Sequence, residues 1–234
     1  KTTVMLAVTL AWEALGGNVL MAALAGKAAL QLSRSTSQPG SPRLAVTIAR
    51  LINGLRAVSN GRTGDHLPNL TRETLLIIDE AAMVDTATLH ELLSEIFKLQ
   101  PDGCRILLVG DSGQLPPVGF GAVFHNLVQK PIITSQLTRP LRQINGSSIP
   151  LVAGQIRAGE VPDIPTYLNQ ANGVYFVEAN AKTLVARASN VYRQLRNSKG
   201  VKDVMVCAAR NQTVDAFNKT MSAENWEIAK QLGL

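Results

Sequence analysis

The feature that most restricts the fold is a set of short runs that are apolar throughout and end on an acid. Leu75-Leu76-Ile77-Ile78 leads into Asp79-Glu80, and Ile106-Leu107-Leu108-Val109 leads into Gly110-Asp111. A strand with one wet face alternates apolar and polar residues, whereas a run without alternation is buried on both faces. Such strands belong to parallel sheets covered by helices on each side. The segment between the two runs fits, because Leu89, Leu92, Leu93, Ile96 and Phe97 fall at i, i+3, i+4, i+7 and i+8, one face of a helix. Upstream, Val19–Ala23 follows Gly16-Gly17 and precedes Gly26-Lys27 and the helix-forming Ala28–Ser33. Downstream, Val204–Ala208 reads as a fourth strand before an amphipathic stretch, Thr213–Met221. The expected class is α/β with a parallel sheet.

Composition narrows the partners and the compartment. The 234 residues suffice for one large domain or two small ones, and a hydrophobic share of 46% excludes a solvated, disordered chain. Lys and Arg outnumber Asp and Glu by 23 to 17, a net charge of +6 that suits an anionic partner such as nucleic acid. Cys104 and Cys207 lie far apart, which excludes a disulfide framework and a cysteine zinc site, so a cytoplasmic protein with reduced thiols is expected. Val19–Ala25 is far shorter than the ~20 residues of a membrane span, so no membrane is expected as a partner. Ser35–Arg43, with Pro39-Gly40 and Pro42, reads as a surface loop. Asn60-Gly61 is a hairpin-turn signal, and with Val58 and Leu67 as flanking strands it predicts a small β-hairpin over about 56–69. A boundary is expected near Pro131–Gln136, dividing the chain into 1–135 and 136–234.

Open parallel sheets bind ligands beyond the carboxyl ends of their strands, where Asp79 and Asp111 stand. Lys1-Thr2-Thr3 runs straight into a helical pattern, as the last part of a phosphate-binding loop Gly-x-x-x-x-Gly-Lys-Thr does. Asp79-Glu80 after its strand supplies one carboxylate to hold Mg²⁺ and one to position and polarise a water. The same pair also suits a helix N-terminus favoured by its dipole. Gly110-Asp111-Ser112-Gly113-Gln114-Leu115-Pro116-Pro117-Val118 joins a strand end, a carboxylate, a hydrogen-bonding amide and a rigid Pro-Pro turn.

These stretches, with Gly26-Lys27-Ala28-Ala29, Gly119–Phe124, Leu137-Thr138-Arg139-Pro140-Leu141-Arg142-Gln143 and Val204–Asn218, occur in the order found in RecD-like DNA helicases of superfamily 1, and the chain resembles the motor region of that family. The resemblance implies a RecA-like P-loop NTPase domain over 1–135, followed over 136–234 by the incomplete beginning of a second RecA-like motor domain. It implies ATP and Mg²⁺ as cofactors. Lys1, Thr2, Thr3, Asp79 and Asp111 would form the nucleotide site, with Thr2 and Asp79 on the metal. Glu80, Gln114 and Arg142 would be the catalytic residues, Glu80 acting on water, Gln114 sensing the γ-phosphate and Arg142 serving as an arginine finger.

Lys27, Thr47 and Arg50 would meet DNA phosphates, contacts that position a strand without reading its sequence. The implied partners are single-stranded DNA, a duplex junction and other subunits of a recombination nuclease complex. The implied activity is ATP-driven movement, 5′ to 3′, with the hairpin splitting the duplex. The chain departs from the family pattern in having Leu24-Ala25 before Gly26-Lys27, where Pro-Thr is usual, and Ala49 where histidine is common. Two other classes fit the same residues: a DNA-binding scaffold that keeps the fold without turnover, and a small-molecule P-loop kinase.

Overall fold

The computed structural model describes residues 2–138, 147–168, 172–200 and 204–231. The chain divides into two compact units, 1–139 and 140–234.

The first unit follows the α/β order expected. Helix α1 (Thr2–Ala14) leads to β1 (Asn18–Ala23), α2 (Gly26–Thr36), β2 (Ala45–Thr47), α3 (Ile48–Ser59), β3 (Thr74–Asp79), α4 (Thr86–Leu99), β4 (Arg105–Val109) and α5 (Val123–Leu127). The four strands form one parallel sheet in the order β2-β1-β3-β4. The unbroken apolar character of β3 is explained by its neighbours. Leu75 and Ile77 face a cluster with Met5 of α1 and Ala29 and Leu32 of α2, while Leu76 and Ile78 face Leu51, Leu55, Leu92 and Ile96 of α3 and α4. All six residues of β3 are buried. Each buried Leu or Ile contributes roughly 1.5–3 kcal/mol, so this strand is where the unit's burial is concentrated.

Two ties across the first unit are polar. Near the end of α1, the Trp12 indole N–H donates to the Glu73 carbonyl at 2.7 Å, and the Arg105 guanidinium lies 5.8 Å from the indole centroid. Between α3 and α4, the buried Glu95 carboxylate accepts from Lys98 Nζ at 2.9 Å and from Arg56 Nε at 3.2 Å. The Lys98 ammonium, aided by Arg56, holds the Glu95 carboxyl below its ordinary pKa against the opposing effect of burial. A carboxyl lowered on folding stabilises the fold above its unfolded pKa and loses that contribution as pH falls through the folded one. The melting temperature should therefore exceed that of Glu95→Gln at neutral pH, with the gap closing below about pH 4. A gap independent of pH, measured by thermal unfolding across that range, would show that the carboxylate's charge contributes nothing.

The hairpin expected over 56–69 is not formed. Helix α3 runs through Val58 to Ser59, and among the described residues 60–73 contain no strand. The Gly61 N–H bonds to the Val58 carbonyl and the Arg62 N–H to the Ala57 carbonyl, with Gly61 at φ +78°. That is the Schellman ending of a helix, in which a glycine at positive φ satisfies the last carbonyls. Asn60-Gly61 therefore stops α3 rather than reversing a strand.

In the second unit, helix α6 (Ile149–Arg157) precedes a single parallel bridge between Thr166 and Phe176. Helices α7 (Leu184–Lys199) and α8 (Asn211–Gln231) follow. Tyr192 meets Phe217 edge-on at 5.5 Å, and Arg193 pairs with Glu224, joining α7 to α8. The strand expected at Val204–Ala208 is not a strand. The segment is irregular, and Met205 and Val206 are exposed. A strand is made by ladder pairing with a neighbouring strand, and residues 204–208 take no part in such a ladder.

Candidate functional site at the carboxyl edge of the sheet

The strand register brings one residue from each strand into a row. Thr47 of β2 is level with Ala23 of β1, Ala23 with Asp79 of β3, and Asp79 with Val109 of β4. Everything that follows these four residues therefore emerges at one edge. Lys27 follows β1, Arg50 follows β2, Glu80 follows β3, and Asp111 and Gln114 follow β4. At ~4.8 Å per strand the carboxylates lie about 10 Å from Thr47, with β1 between.

Helix α1 points its N-terminus at the same edge. Trp12, near its C-terminus, is tied to residues at the start of β3 and β4. Thirteen residues at 1.5 Å each span about 20 Å, the length of a six-residue strand, which returns Thr2 and Thr3 to the carboxyl ends. Lys1 lies outside the described residues. Thr3 is exposed on the first turn.

Asp79 is buried at 7% exposure, and its Oδ1 accepts the Glu80 backbone N–H at 2.8 Å. Glu80 has φ 53° and ψ 37°, and among the described residues no other non-glycine has a positive φ. This left-handed residue turns the chain from β3 into the single turn Ala81–Met83 and leaves the Glu80 side chain half-buried at the edge. Strain of that kind persists only where the surroundings fix it. Here Ala81, Ala82 and Val84 are buried against Phe124 of α5.

Asp111 organises its loop. Its Oδ1 accepts the Gly113 N–H at 3.0 Å, its Oδ2 accepts the Gln114 side-chain amide at 3.2 Å, and its carbonyl accepts the Gln114 N–H at 3.1 Å. Gln114 is exposed beyond it. The loop then projects Leu115, Val118 and Phe120 into solvent and is pinned again where the Thr86 N–H donates to the Phe120 carbonyl at 3.1 Å. A β-carbon on Gly119 would run into Asp85, and one on Gly121, at φ +91°, into Thr86. Asp85 itself caps α4 through the Thr88 N–H at 2.7 Å, a bond that lowers its pKa.

The DNA-side candidates are laid out differently. Lys27 is exposed on the first turn of α2 and Arg50 on the first turn of α3. The Thr47 hydroxyl accepts the Arg50 N–H at 3.2 Å, so its role on view is to cap α3. Arg142 lies outside the described residues.

Sequence reasoning named Gly110 and Phe124 within motif stretches but gave neither a role at the site. A β-carbon on Gly110 would lie 2.9 Å from both the Ala82 nitrogen and the Phe124 ring, so β4 can approach the Glu80 turn only with glycine there. The signal was present as Gly110 directly after an apolar run, which also reads as an ordinary strand end.

Among the described residues no three His, Cys, Asp or Glu side chains gather as a metal site, and no helix is long and apolar enough to cross a membrane. The buried Asp79 carboxylate at this edge is a hard oxygen donor, the kind Mg²⁺ accepts together with phosphate oxygens.

Residues 1–179 match an AAA domain family model. The ATP-dependent RecD2 DNA helicase of Deinococcus radiodurans is 36% identical over 162 residues, 69% of this chain and 21% of the relative. The conjugal transfer protein TraA of Agrobacterium fabrum is 33% identical over 130 residues, 56% of this chain and 10% of the relative. The chain thus spans about a fifth or less of these relatives' length. A solved Bacteroides Pif1 bound to single-stranded DNA overlaps 82% of this chain and 50% of its own, with a TM-score of 0.45 and 19% identity.

Proposed function

Because the chain belongs to the AAA domain family, with its P-loop ATPase domain and distant homology to superfamily 1 helicases, we infer that it is the ATP-hydrolysing part of a DNA helicase moving 5′ to 3′ along single strands. The observation that carries this is the convergence of Asp79, Glu80, Asp111, Gln114 and the α1 N-terminus on one edge. Helix N-termini receive phosphate through backbone N–H groups and the dipole. Lys1, Thr2 and Thr3 would hold the nucleotide phosphates there, and Thr2 and Asp79 would ligate Mg²⁺, which supplies charge neutralisation on the phosphate oxygens.

Glu80, re-aimed by its left-handed backbone, takes the proton of the attacking water. The bonds from Asp111 keep the Gln114 amide where it can meet the terminal phosphate and transmit its presence to the exposed loop beyond. Arg142, from the second unit read as the start of a second RecA-like domain, brings positive charge to the transferring phosphoryl group. Lys27 and Arg50 meet DNA phosphates, with Thr47 holding the helix that carries Arg50. The name of the Deinococcus relative, an ATP-dependent DNA helicase, supports the same assignment.

The deciding measurement is ATP hydrolysis with and without single-stranded DNA. The reading requires stimulation by DNA. Hydrolysis indifferent to DNA would instead favour a small-molecule kinase, and DNA binding with no hydrolysis a scaffold.

A further inference from the structure

We propose that a clasp between the start of α4 and the far end of the Gln114 loop holds Glu80 and Gln114 at one spacing, and that Asp85, Thr86, Gly119 and Gly121 are positioning residues for hydrolysis. The inference rests on the reading above, in which Glu80 acts on the water and Gln114 meets the terminal phosphate. The Glu80 turn runs on through Ala81–Met83 and the buried Val84 into Asp85, which caps α4. The Gln114 loop leaves β4 at Gly110 and returns against that same stretch. Gly110 abuts Ala82, Gly119 abuts the Asp85 side chain and Gly121 abuts the Thr86 side chain, each where a β-carbon has no room. The Thr86 N–H closes the contact by donating to the Phe120 carbonyl at 3.1 Å.

The clasp does little to bury apolar surface. Residues 112–116 and 118–120 are exposed, Val118 and Phe120 almost fully. Close backbone approach without burial fixes a geometry and adds little hydrophobic stability. The two Asp85 oxygens divide the work. Oδ1 accepts the Thr88 N–H at 2.7 Å, and Oδ2 is the atom nearest the place a Gly119 β-carbon would take. The cap keeps that side chain from turning aside. Asp111 fastens Gln114 to the root of the loop, and the clasp fastens the loop's other end, so the amide sits on an arc held at both ends. Glu80 hangs from one side of the clasp and Gln114 from the other. A water between a base and a phosphate reacts in a narrow range of geometry, and a misplacement of about 1 Å costs up to about 10²-fold in rate.

Thr86→Pro opens the clasp while keeping the helix. Thr86 is the first residue of α4, where proline is favoured, and Asp85 before it is extended at φ −79° and ψ 167°, as proline requires of its predecessor. The ring removes the N–H and pushes the Phe120 carbonyl away. Hydrogen exchange should then quicken about tenfold at Gly113 and Gln114 and equally at Met83 and Val84, whose N–H groups bond within the two fastened segments, while β3 keeps its protection. The kcat of ATP hydrolysis should fall about tenfold at an unchanged melting temperature. Gly119→Ala opens the clasp from the loop side and serves if the proline variant is less stable. Adding Asp85→Gly removes the three atoms that the new β-carbon meets, at little cost to the helix start, and should return exchange and kcat to within about twofold of the parent. Exchange that quickens at 119–121 alone, an unchanged kcat, or a double variant no better than Gly119→Ala would overturn the clasp. Absence of hydrolysis by the unmodified protein would overturn the hydrolysis reading and the positioning role with it, whereas the exchange result separately decides whether the two segments are fastened.

Discussion

Replacing Glu80 by glutamine is expected to lower the kcat of the proposed ATP hydrolysis by about 10²–10⁴ while nucleotide binding persists. The amide keeps the size of the carboxylate and its place at the edge but cannot accept the proton of the attacking water. Steady-state hydrolysis beside equilibrium nucleotide binding separates the two effects, and loss of binding in parallel with turnover would make Glu80 a ligand rather than a base. The backbone adds a second readout. Glu80 is held at φ 53°, a conformation that costs a non-glycine residue of order 1 kcal/mol or more. Glu80→Gly should therefore be inactive yet at least as stable as the parent. A clear loss of stability in the glycine variant would mean that the side chain contributes more to folding than its backbone strain takes away.

Truncating Ile78 to alanine costs about 2–5 kcal/mol, and the melting temperature drops by roughly 5–15 °C. Ile78 is fully buried and lies beneath the turn that carries Glu80, where Ala81, Leu108 and Phe124 already leave a cavity of about 10 Å³. Removing three carbons enlarges that cavity and withdraws support from the turn, so hydrolysis should fall as well, at temperatures where the variant is still folded. Ile78→Val, losing one methylene, should cost about 0.5–1.5 kcal/mol. An alanine variant within 1 kcal/mol of the parent would show that the region repacks and that the turn does not depend on it.

The central strands were legible because burial on both faces leaves an unambiguous mark. Leu75–Ile78 has no polar residue, and only a strand sandwiched between helices sustains that. The acids closing the strands were legible for the same reason, as the first polar residues after an apolar run. Asn60-Gly61 misled because positive φ is needed both in a tight hairpin turn and at a helix end. What separates the two is whether the preceding residues are paired along a helix, a fact that Val58 and Ser59 do not announce. Val204–Ala208 misled because apolar content alone does not separate a strand in a ladder from an irregular apolar segment. Thr47 reads equally as a phosphate ligand and as a helix cap, and only the 3.2 Å bond to Arg50 distinguishes them. The left-handed backbone of Glu80 left no trace in composition or spacing, since glycine or asparagine is the usual occupant of that region.

The absence of any hairpin from the four-stranded sheet has a consequence for how the unit is made. Parallel neighbours cannot zip from a turn, and the central pair joins Asn18–Ala23 to Thr74–Asp79 across more than fifty residues. Loop closure on that scale must come before the contacts that reward it, which places this topology among the slower folders. Until Asp79 has emerged during synthesis, β1 has only the three-residue β2 to pair with and its inner edge stays open. Over that interval the apolar faces of α2 and α3 stay uncovered, and this nascent stretch is where a chaperone would find its target.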